Sequence, residues 1–317
     1  MTRLSRAVVM AAAVACAAGT VRAGAPFQFR AEVGPAVTGG DVTFRVGGYY
    51  EDAFGREPLP DTISELEWPR EAVWLRAAGA ARHRSGWEAH LAAAVAPPQD
   101  GGRITDTDYR FDDPSVVEIV GRADARFDGW ECDGGVRYWF LERAAGAGHA
   151  SLSAGFGCRV QKNEWEASDA IQEYPGADLA PDVFPGLAIT YETTLLMPYA
   201  ELAALARAGR IEADLRAGWS PSVGIDDADD HVLRTIRSEA ETKGAGWLVD
   251  LDIRWRLSAA WFLSARGWAQ ACDADGSAWN EVYGDADAFA VAGEVWQTGQ
   301  EIEVRKYGFA LGFGGRS

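Results

Sequence analysis

Apolar and polar residues alternate with a period of two along several stretches of the chain. From Val249 to Ser258 every second residue is apolar, and the residues between are Asp, Arg or Ser. Ile211 to Trp219 shows the same alternation. Residues two apart lie on one face of a β-strand, whereas a helix would scatter them around its circumference. The pattern therefore predicts strands with one apolar face and one polar face.

Three further segments alternate in the same way: 42–48, 87–95 and 307–313. In the first, we assign the apolar face, which includes Val42 and Phe44, to lipid and the polar face to a lumen. One segment, Glu201 to Ala208, has the composition of a helix. We interpret it as the end of a strand followed by a short turn.

The N-terminus resembles an export signal. Arg3 and Arg6 precede a short apolar run, and the small residues of Val21-Arg22-Ala23 suit a signal peptidase. We therefore expect a signal peptide over residues 1–23 and a single domain over residues 24–317. The apolar run is shorter than the roughly 20 residues that a membrane-spanning helix needs.

Two all-β architectures fit an exported chain with this alternation. One is a ten-stranded antiparallel transmembrane β-barrel of the outer-membrane type, with its apolar face toward lipid and its polar face toward a lumen. The other is a soluble periplasmic β-sandwich that binds a ligand. Charged residues opposite Trp, Leu and Val, with aromatic residues near strand ends, favour the barrel.

Composition narrows the function classes. Asp and Glu number 47 against 30 for Lys and Arg, which gives a net charge of −17. No basic cluster could neutralise phosphates, so nucleic acid is not expected as a partner. Cys132, Cys158 and Cys272 remain after the leader, and a Cys132–Cys158 bridge and three structural thiols both stay open.

Two loop-like segments concentrate ionisable groups. In extended backbone Asp106 and Asp108 project from one face, as do Asp227, Asp229 and His231. Two close carboxylates raise each other's pKa until one holds a proton, and a carboxylate beside an imidazole stabilises its charged form. Together they could activate water without a metal. The alternative is that these acidic runs are solvated surface.

Other signatures of chemistry are missing from the sequence. It contains no HExxH, no GxSxG and no paired CxxC, which removes the common zinc and serine hydrolase motifs. The segment 273–276 begins like a calcium loop but lacks the downstream glutamate. No metal site is therefore predicted.

Four short motifs occur in order: Ser64 to Trp68 on the second predicted strand, Gly101 to Tyr109 ending the third, Tyr191 to Tyr199 on the sixth, and Asp229 to His231 after the seventh. Together they resemble the motifs of the omptins, which are ten-stranded outer-membrane aspartyl-type proteases. The resemblance implies catalytic roles for Asp106, Asp108, Asp229 and His231. It also implies that Glu51 and Asp227 form an acidic substrate-binding pocket for Arg or Lys at P1.

The resemblance has consequences for partners and for geometry. Omptins bind lipopolysaccharide through basic residues on the barrel exterior, but the corresponding stretches here, 192–196 and 238–241, carry none. We therefore expect no cofactor. Strict alternation from Ile211 would turn His231 toward the lipid, so a bulge is required between Pro221 and Gly224. The loop after Asp108 is short, and its acidic residues Asp112 and Asp113 are left without a role.

Two hypotheses of function follow. The first is a monomeric outer-membrane endopeptidase that cleaves polypeptides next to basic residues, with outer-membrane lipid around it and its active site facing the exterior. The second is a catalytically silent barrel that acts as an adhesin or a structural protein.

Overall fold

The computed structural model describes residues 26–145, 148–284 and 292–317, and the predicted signal peptide over residues 1–23 lies outside them. The described part of the chain is all β. No helix in it is long and apolar enough to cross a membrane. Its strands are β1 (Phe27–Asp52), β2 (Gly55–Pro58), β3 (Ser64–Pro69), β4 (Ala72–His83), β5 (Trp87–Tyr109), β6 (Val117–Ala145), β7 (Gly148–Glu173), β8 (Asp182–Ala208), β9 (Ile211–His231), β10 (Ile236–Arg256), β11 (Trp261–Val282) and β12 (Val295–Arg316).

The strands form one antiparallel sheet that closes on itself. From β5 to β12 each strand pairs with its neighbour in sequence, and β12 pairs with β1. β3 and β4 lie end to end between β1 and β5, and β2 forms a hairpin with the end of β1. Twelve strand segments therefore fill ten positions around a barrel. The predicted class is confirmed, and the sandwich alternative is wrong because the sheet has no second layer.

The outer wall is divided into an apolar half and a charged half, and β10 shows both. Its outward residues in one half are Trp247, Val249, Leu251, Ile253 and Trp255, which are all substantially exposed. Toward the other end its outward residues are charged: Arg237, Glu239, Glu241 and Lys243. Nine residues from one Trp to the other match the roughly 9–11 that a tilted strand needs to span a bilayer. We call the apolar half the membrane belt.

Inside the membrane belt the barrel is filled by ion pairs. The Arg216 guanidinium lies 2.8 Å from Asp133 and 2.5 Å from Asp250. Arg137 lies 2.7 Å from Glu88 and, through the same nitrogen, 2.9 Å from Asp214. These side chains are almost fully buried, and each charge has a partner of opposite sign. Pairing is what makes a charged interior tolerable at this depth.

Beyond the belt the polarity of the wall is reversed. Six rings from six strands, each at most 4% exposed, pack with centroid separations of 5.0–6.1 Å inside the barrel. We call this group the aromatic layer; its members are Phe44, Trp68, Trp74, Phe127, Trp165 and Tyr191. The lipid-facing assignment of Val42 and Phe44 is therefore wrong, because in this half the apolar face points inward. Arg45 faces outward and pairs with Glu65 at 2.5 Å.

The bulge that the sequence required in β9 is present. Ser220 pairs with Gly246 but Val223 pairs with Gly244, so Pro221 and Ser222 together oppose a single residue of β10. Even-numbered residues point inward before the bulge, and odd-numbered residues point inward after it. The segment 201–208 is strand throughout, as interpreted, and the turn follows at Gly209.

Replacement of Leu251 by Arg tests the membrane belt. A cation at the lipid-facing midplane of a barrel costs about 2–4 kcal/mol. We expect Leu251→Arg to lower the free energy of unfolding in lipid vesicles by that amount, measured by urea titration with tryptophan fluorescence. Glu241→Arg, on the same face of β10 but above the belt, should change it by less than about 1 kcal/mol. Equal effects of the two substitutions would contradict the position of the belt.

Candidate functional site

The Asp106/Asp108 pair lies at the end of β5 and points into the barrel. Asp100, Gly101 and Gly102 form a bulge in β5, where Gly102 takes a φ of 93°, a conformation that favours glycine. After the bulge Ile104, Asp106 and Asp108 face the interior. The outer wall at this level is charged, so the pair lies above the membrane belt.

Asp106 is a strongly perturbed carboxyl group. Ser64 Oγ donates a hydrogen bond of 3.4 Å to its Oδ1. Burial, followed by the nearby Asp108 carboxylate, raises the pKa of Asp106 to about 7. Two carboxylates this close cannot both ionise without cost. At neutral pH the pair therefore retains a proton for part of the time.

His231 ends β9, and Asp229 precedes it on the same face. The Nε2 atom of His231 lies 2.8 Å from Asp229 Oδ2, and the Asp229 side chain is 2% exposed. Burial alone would lower the pKa of His231, but the Asp229 carboxylate outweighs it and raises that pKa above its usual value. The dyad therefore holds an imidazole that accepts a proton readily.

Asp106, Asp108 and His231 line one cleft at the rim of the barrel. Its volume is about 840 Å³, and its walls come from β3, β5, β6, β7, β8 and the turn between β9 and β10. Asp106 and His231 are 125 residues apart in the chain, and the closed sheet brings them together. Among the described residues no group of three His, Cys, Asp or Glu side chains could hold a metal ion.

Asp227 and Glu51 occupy different surroundings. Asp227 is buried, and Gln300 Nε2 donates to both of its oxygens at 3.1 and 2.9 Å. Burial is the main cause that raises the pKa of Asp227 to about 7. Glu51 lies on the β1–β2 hairpin, and its half-exposed carboxylate is 3.9 Å from Arg56. The assignment of the polar face of segment 42–48 to a lumen is wrong, because Arg45 on that face points outward; the strand is bulged between Gly47 and Tyr50, before it reaches Glu51.

Three residues of the site carried no assigned role in the sequence. Tyr191, directly across from Asp229 in the β8–β9 ladder, belongs to the aromatic layer. Gln300 comes from β12, on the other side of the barrel. Arg234, in the turn after His231, places its guanidinium 3.8 Å from Asp108 Oδ2. Its position three residues after His231 is the only sequence signal that could have identified it.

Comparison with known proteins supports the fold. No protein-family model matches the chain, and no curated protein sequence matches it. The outer membrane protease OmpT from Escherichia coli is a similar solved structure, with a TM-score of 0.72, 17% identity, and coverage of 94% of this chain and 99% of that chain. The outer membrane protein OprG from Pseudomonas aeruginosa has a TM-score of 0.36, 10% identity, and coverage of 92% and 95%. At these identities the likeness concerns the fold alone.

The raised pKa of Asp227 makes stability depend on pH. Its folded-state pKa of about 7 exceeds the unfolded value of about 4, so the stability that depends on its protonation is fully present below pH 4 and is lost as the pH rises to about 7. In Asp227→Asn the side chain is an amide, which stays neutral over this pH range. We expect the stability of this variant, relative to the parent chain, to rise by on the order of 2–4 kcal/mol between pH 4 and pH 8.

The measurement is urea unfolding in lipid vesicles at a series of pH values. Asp124→Asn, an exposed carboxylate on the outer wall, serves as the control and should follow the parent curve. Parallel curves for Asp227→Asn and the parent chain would contradict the assignment.

Proposed function

We propose that this chain is an outer-membrane endopeptidase of the omptin type, which hydrolyses peptide bonds next to basic residues. The observation that carries the proposal is the cleft at the barrel rim, which joins the Asp106/Asp108 pair to His231, with Asp229 behind the imidazole at 2.8 Å. A protonated carboxyl group beside a second carboxylate, and a histidine backed by a carboxylate, are the two components with which water can be activated without a metal.

In the proposed reaction, a water molecule lies between the carboxyl pair and His231. The ring nitrogen of His231 that does not face Asp229 takes a proton from this water, and the water oxygen attacks the peptide carbonyl carbon. Asp229 stabilises the imidazolium that forms. The proton that Asp106 holds beside Asp108 is donated in a hydrogen bond to the developing oxyanion. His231 then protonates the leaving amine as the C–N bond breaks.

We assign the binding of the basic substrate residue before the scissile bond to Glu51 and Asp227. A cation beside Asp227 would favour its ionised form, so binding would couple to loss of the Asp227 proton. The Gln300 contact keeps the Asp227 carboxylate in place. A charge-assisted hydrogen bond to this carboxylate would favour Arg or Lys in the substrate. An apolar side chain in the same position would leave the carboxylates unpaired.

A second candidate function is a catalytically silent barrel that acts as an adhesin or a structural protein. The observation that favours it lies on the outer wall beside the site. There Lys162 is bound to Glu192 at 2.6 Å, and Arg237 to Glu239 at 2.7 Å, with Asp226 and Glu241 nearby. An acidic, internally paired surface is a poor match for lipid phosphates.

Removal of the proposed base or of its carboxylate partner distinguishes the two functions. His231→Ala and Asp108→Asn should each reduce kcat/KM for an Arg-containing peptide by about 10²- to 10⁴-fold, because proton transfer or oxyanion stabilisation is lost. Cleavage of a quenched fluorescent peptide by the detergent-solubilised barrel, with and without added lipopolysaccharide, provides the measurement.

The matched control is Asp230→Asn. Asp230 lies between Asp229 and His231 in sequence, but it accepts a hydrogen bond of 2.8 Å from the Tyr283 hydroxyl instead. The turnover of Asp230→Asn should therefore stay close to that of the parent chain. Resistance to SDS before heating verifies that each barrel is folded. Cleavage that survives His231→Ala, or no cleavage by the parent chain in either lipid condition, would refute the protease assignment.

The pH profile provides an independent test of the dyad. His231 acts as a base only when neutral, so kcat/KM should rise with pH through its raised pKa. Asp229→Asn removes the charge that raises this pKa. We expect the acid limb of the profile to move to lower pH by about one unit, while the maximal rate falls at least about tenfold. An unmoved acid limb would exclude Asp229 as the partner of the catalytic base.

A further inference from the structure

The rim cleft has an apolar wall on the side of the Asp106/Asp108 pair. Phe111 and Leu233 are 63% and 46% exposed there, and Ile171 is 41% exposed. Ile119 and Phe184 line the same cleft. These residues lie above the membrane belt, where the outer wall is charged, so lipid does not cover them. We call this set of five side chains the apolar wall.

Several charged residues around the apolar wall form ion pairs or hydrogen bonds with their neighbours. Arg110 binds Asp112 through two hydrogen bonds of 2.7 and 3.1 Å. Asp113 accepts a hydrogen bond of 2.6 Å from Ser115. Arg122 lies 2.6 Å from Glu173. Asp112 and Glu173 are therefore paired with neighbouring arginines, and Glu118, the other acidic residue of the cleft besides Asp106 and Asp108, lies near Arg110.

A positive charge stands at the edge of the same wall. The turn after His231 is fixed by a hydrogen bond of 2.9 Å from the Arg234 amide to the His231 carbonyl. It holds Leu233 in the wall and Arg234 at 3.8 Å from Asp108. A second cation entering here would meet Arg234 and would have to compete with it for Asp108.

The apolar wall and the acidic residues Asp227 and Glu51 lie on different sides of the catalytic groups. Asp227 is bound to Gln300 of β12, and Glu51 belongs to β1, whereas the wall is built from the β5–β6 loop, β6, β7, β8 and the β9–β10 turn. A peptide whose basic side chain reaches Asp227 would extend its next residue toward the wall.

We propose that the rim cleft binds an apolar side chain at P1′, the residue that supplies the leaving amine, so that the preferred substrate is a basic–apolar pair of residues. This inference rests on the proposed function, because it assigns the second side of the same scissile bond. The physical basis is the removal of two apolar surfaces from water, while an Arg or Lys in that position would be desolvated beside the Arg234 cation.

The test compares peptides that share Arg at P1 and differ only at P1′, with Phe, Leu, Ser, Glu or Arg. For the full-length barrel in detergent we expect kcat/KM to be roughly 10- to 100-fold higher for Phe and Leu than for Ser or Arg. Phe111→Ser and Leu233→Ser should each reduce the Phe-to-Ser ratio severalfold. Leu179→Ser, which removes a leucine that is as exposed as Phe111 but lies outside the cleft, should leave the ratio unchanged.

The outcomes separate the two proposals. Cleavage that depends on His231 but shows no P1′ preference, or prefers Arg at P1′, would overturn the apolar subsite and leave the protease assignment standing. A Phe preference that survives both Phe111→Ser and Leu233→Ser would also overturn the subsite. Failure to cleave any of the five peptides, both with and without added lipopolysaccharide, would remove both proposals. SDS resistance and circular dichroism confirm that each variant barrel is folded.

Discussion

Closure of one antiparallel sheet, by pairing of β12 with β1, is the constraint on which the rest of the molecule depends. In lipid every backbone N–H and C=O must be bonded internally, and a closed sheet achieves this without leaving an edge. Closure also fixes which side chains share the interior. Strands distant in sequence, such as β5 and β9, then present their ends to the same space.

The side chains inside the barrel are of two kinds, which occupy different halves of it. Within the membrane belt it is a network of paired charges around Arg137 and Arg216, and beyond the belt it is the aromatic layer. The change coincides with a reversal of the outer wall from apolar to charged. Each half therefore places its apolar face where water is absent: toward lipid in the belt, and toward the interior beyond it.

The aromatic layer forms the floor of the candidate site. Tyr191 lies between the rings of the layer and the Asp227–Asp229 segment, and burial and these two carboxylates raise the pKa of its own hydroxyl well above the usual value. Burial penalises ionisation of a carboxyl group, and it is the main cause of the raised pKa values of Asp106 and Asp227. The side chains that fill the barrel therefore also influence the protonation of the carboxyl groups at its rim.

The sequence by itself determined the strands, the barrel class and the short-range pairs. Alternation is a local property, so it identified β9, β10 and β12. It also identified Asp106 with Asp108, and Asp229 with His231, because residues two apart share a face whatever surrounds them. The bulge near Pro221 was deducible from the parity of β9 once the resemblance had placed His231 in the site.

Only the tertiary structure decided which face of a strand points inward, which acids are buried and which residues complete the site. Val42 and Phe44 alternate like lipid-facing residues but face the interior, because their part of β1 extends beyond the belt. Gln300 reaches Asp227 across the barrel, and no local pattern reports such a contact. The aromatic layer takes its rings from six separate strands, and the raised pKa values of Asp106 and Asp227 follow from burial. The sequence thus specified the ionisable groups of the candidate site, and closure of the sheet determined their environment.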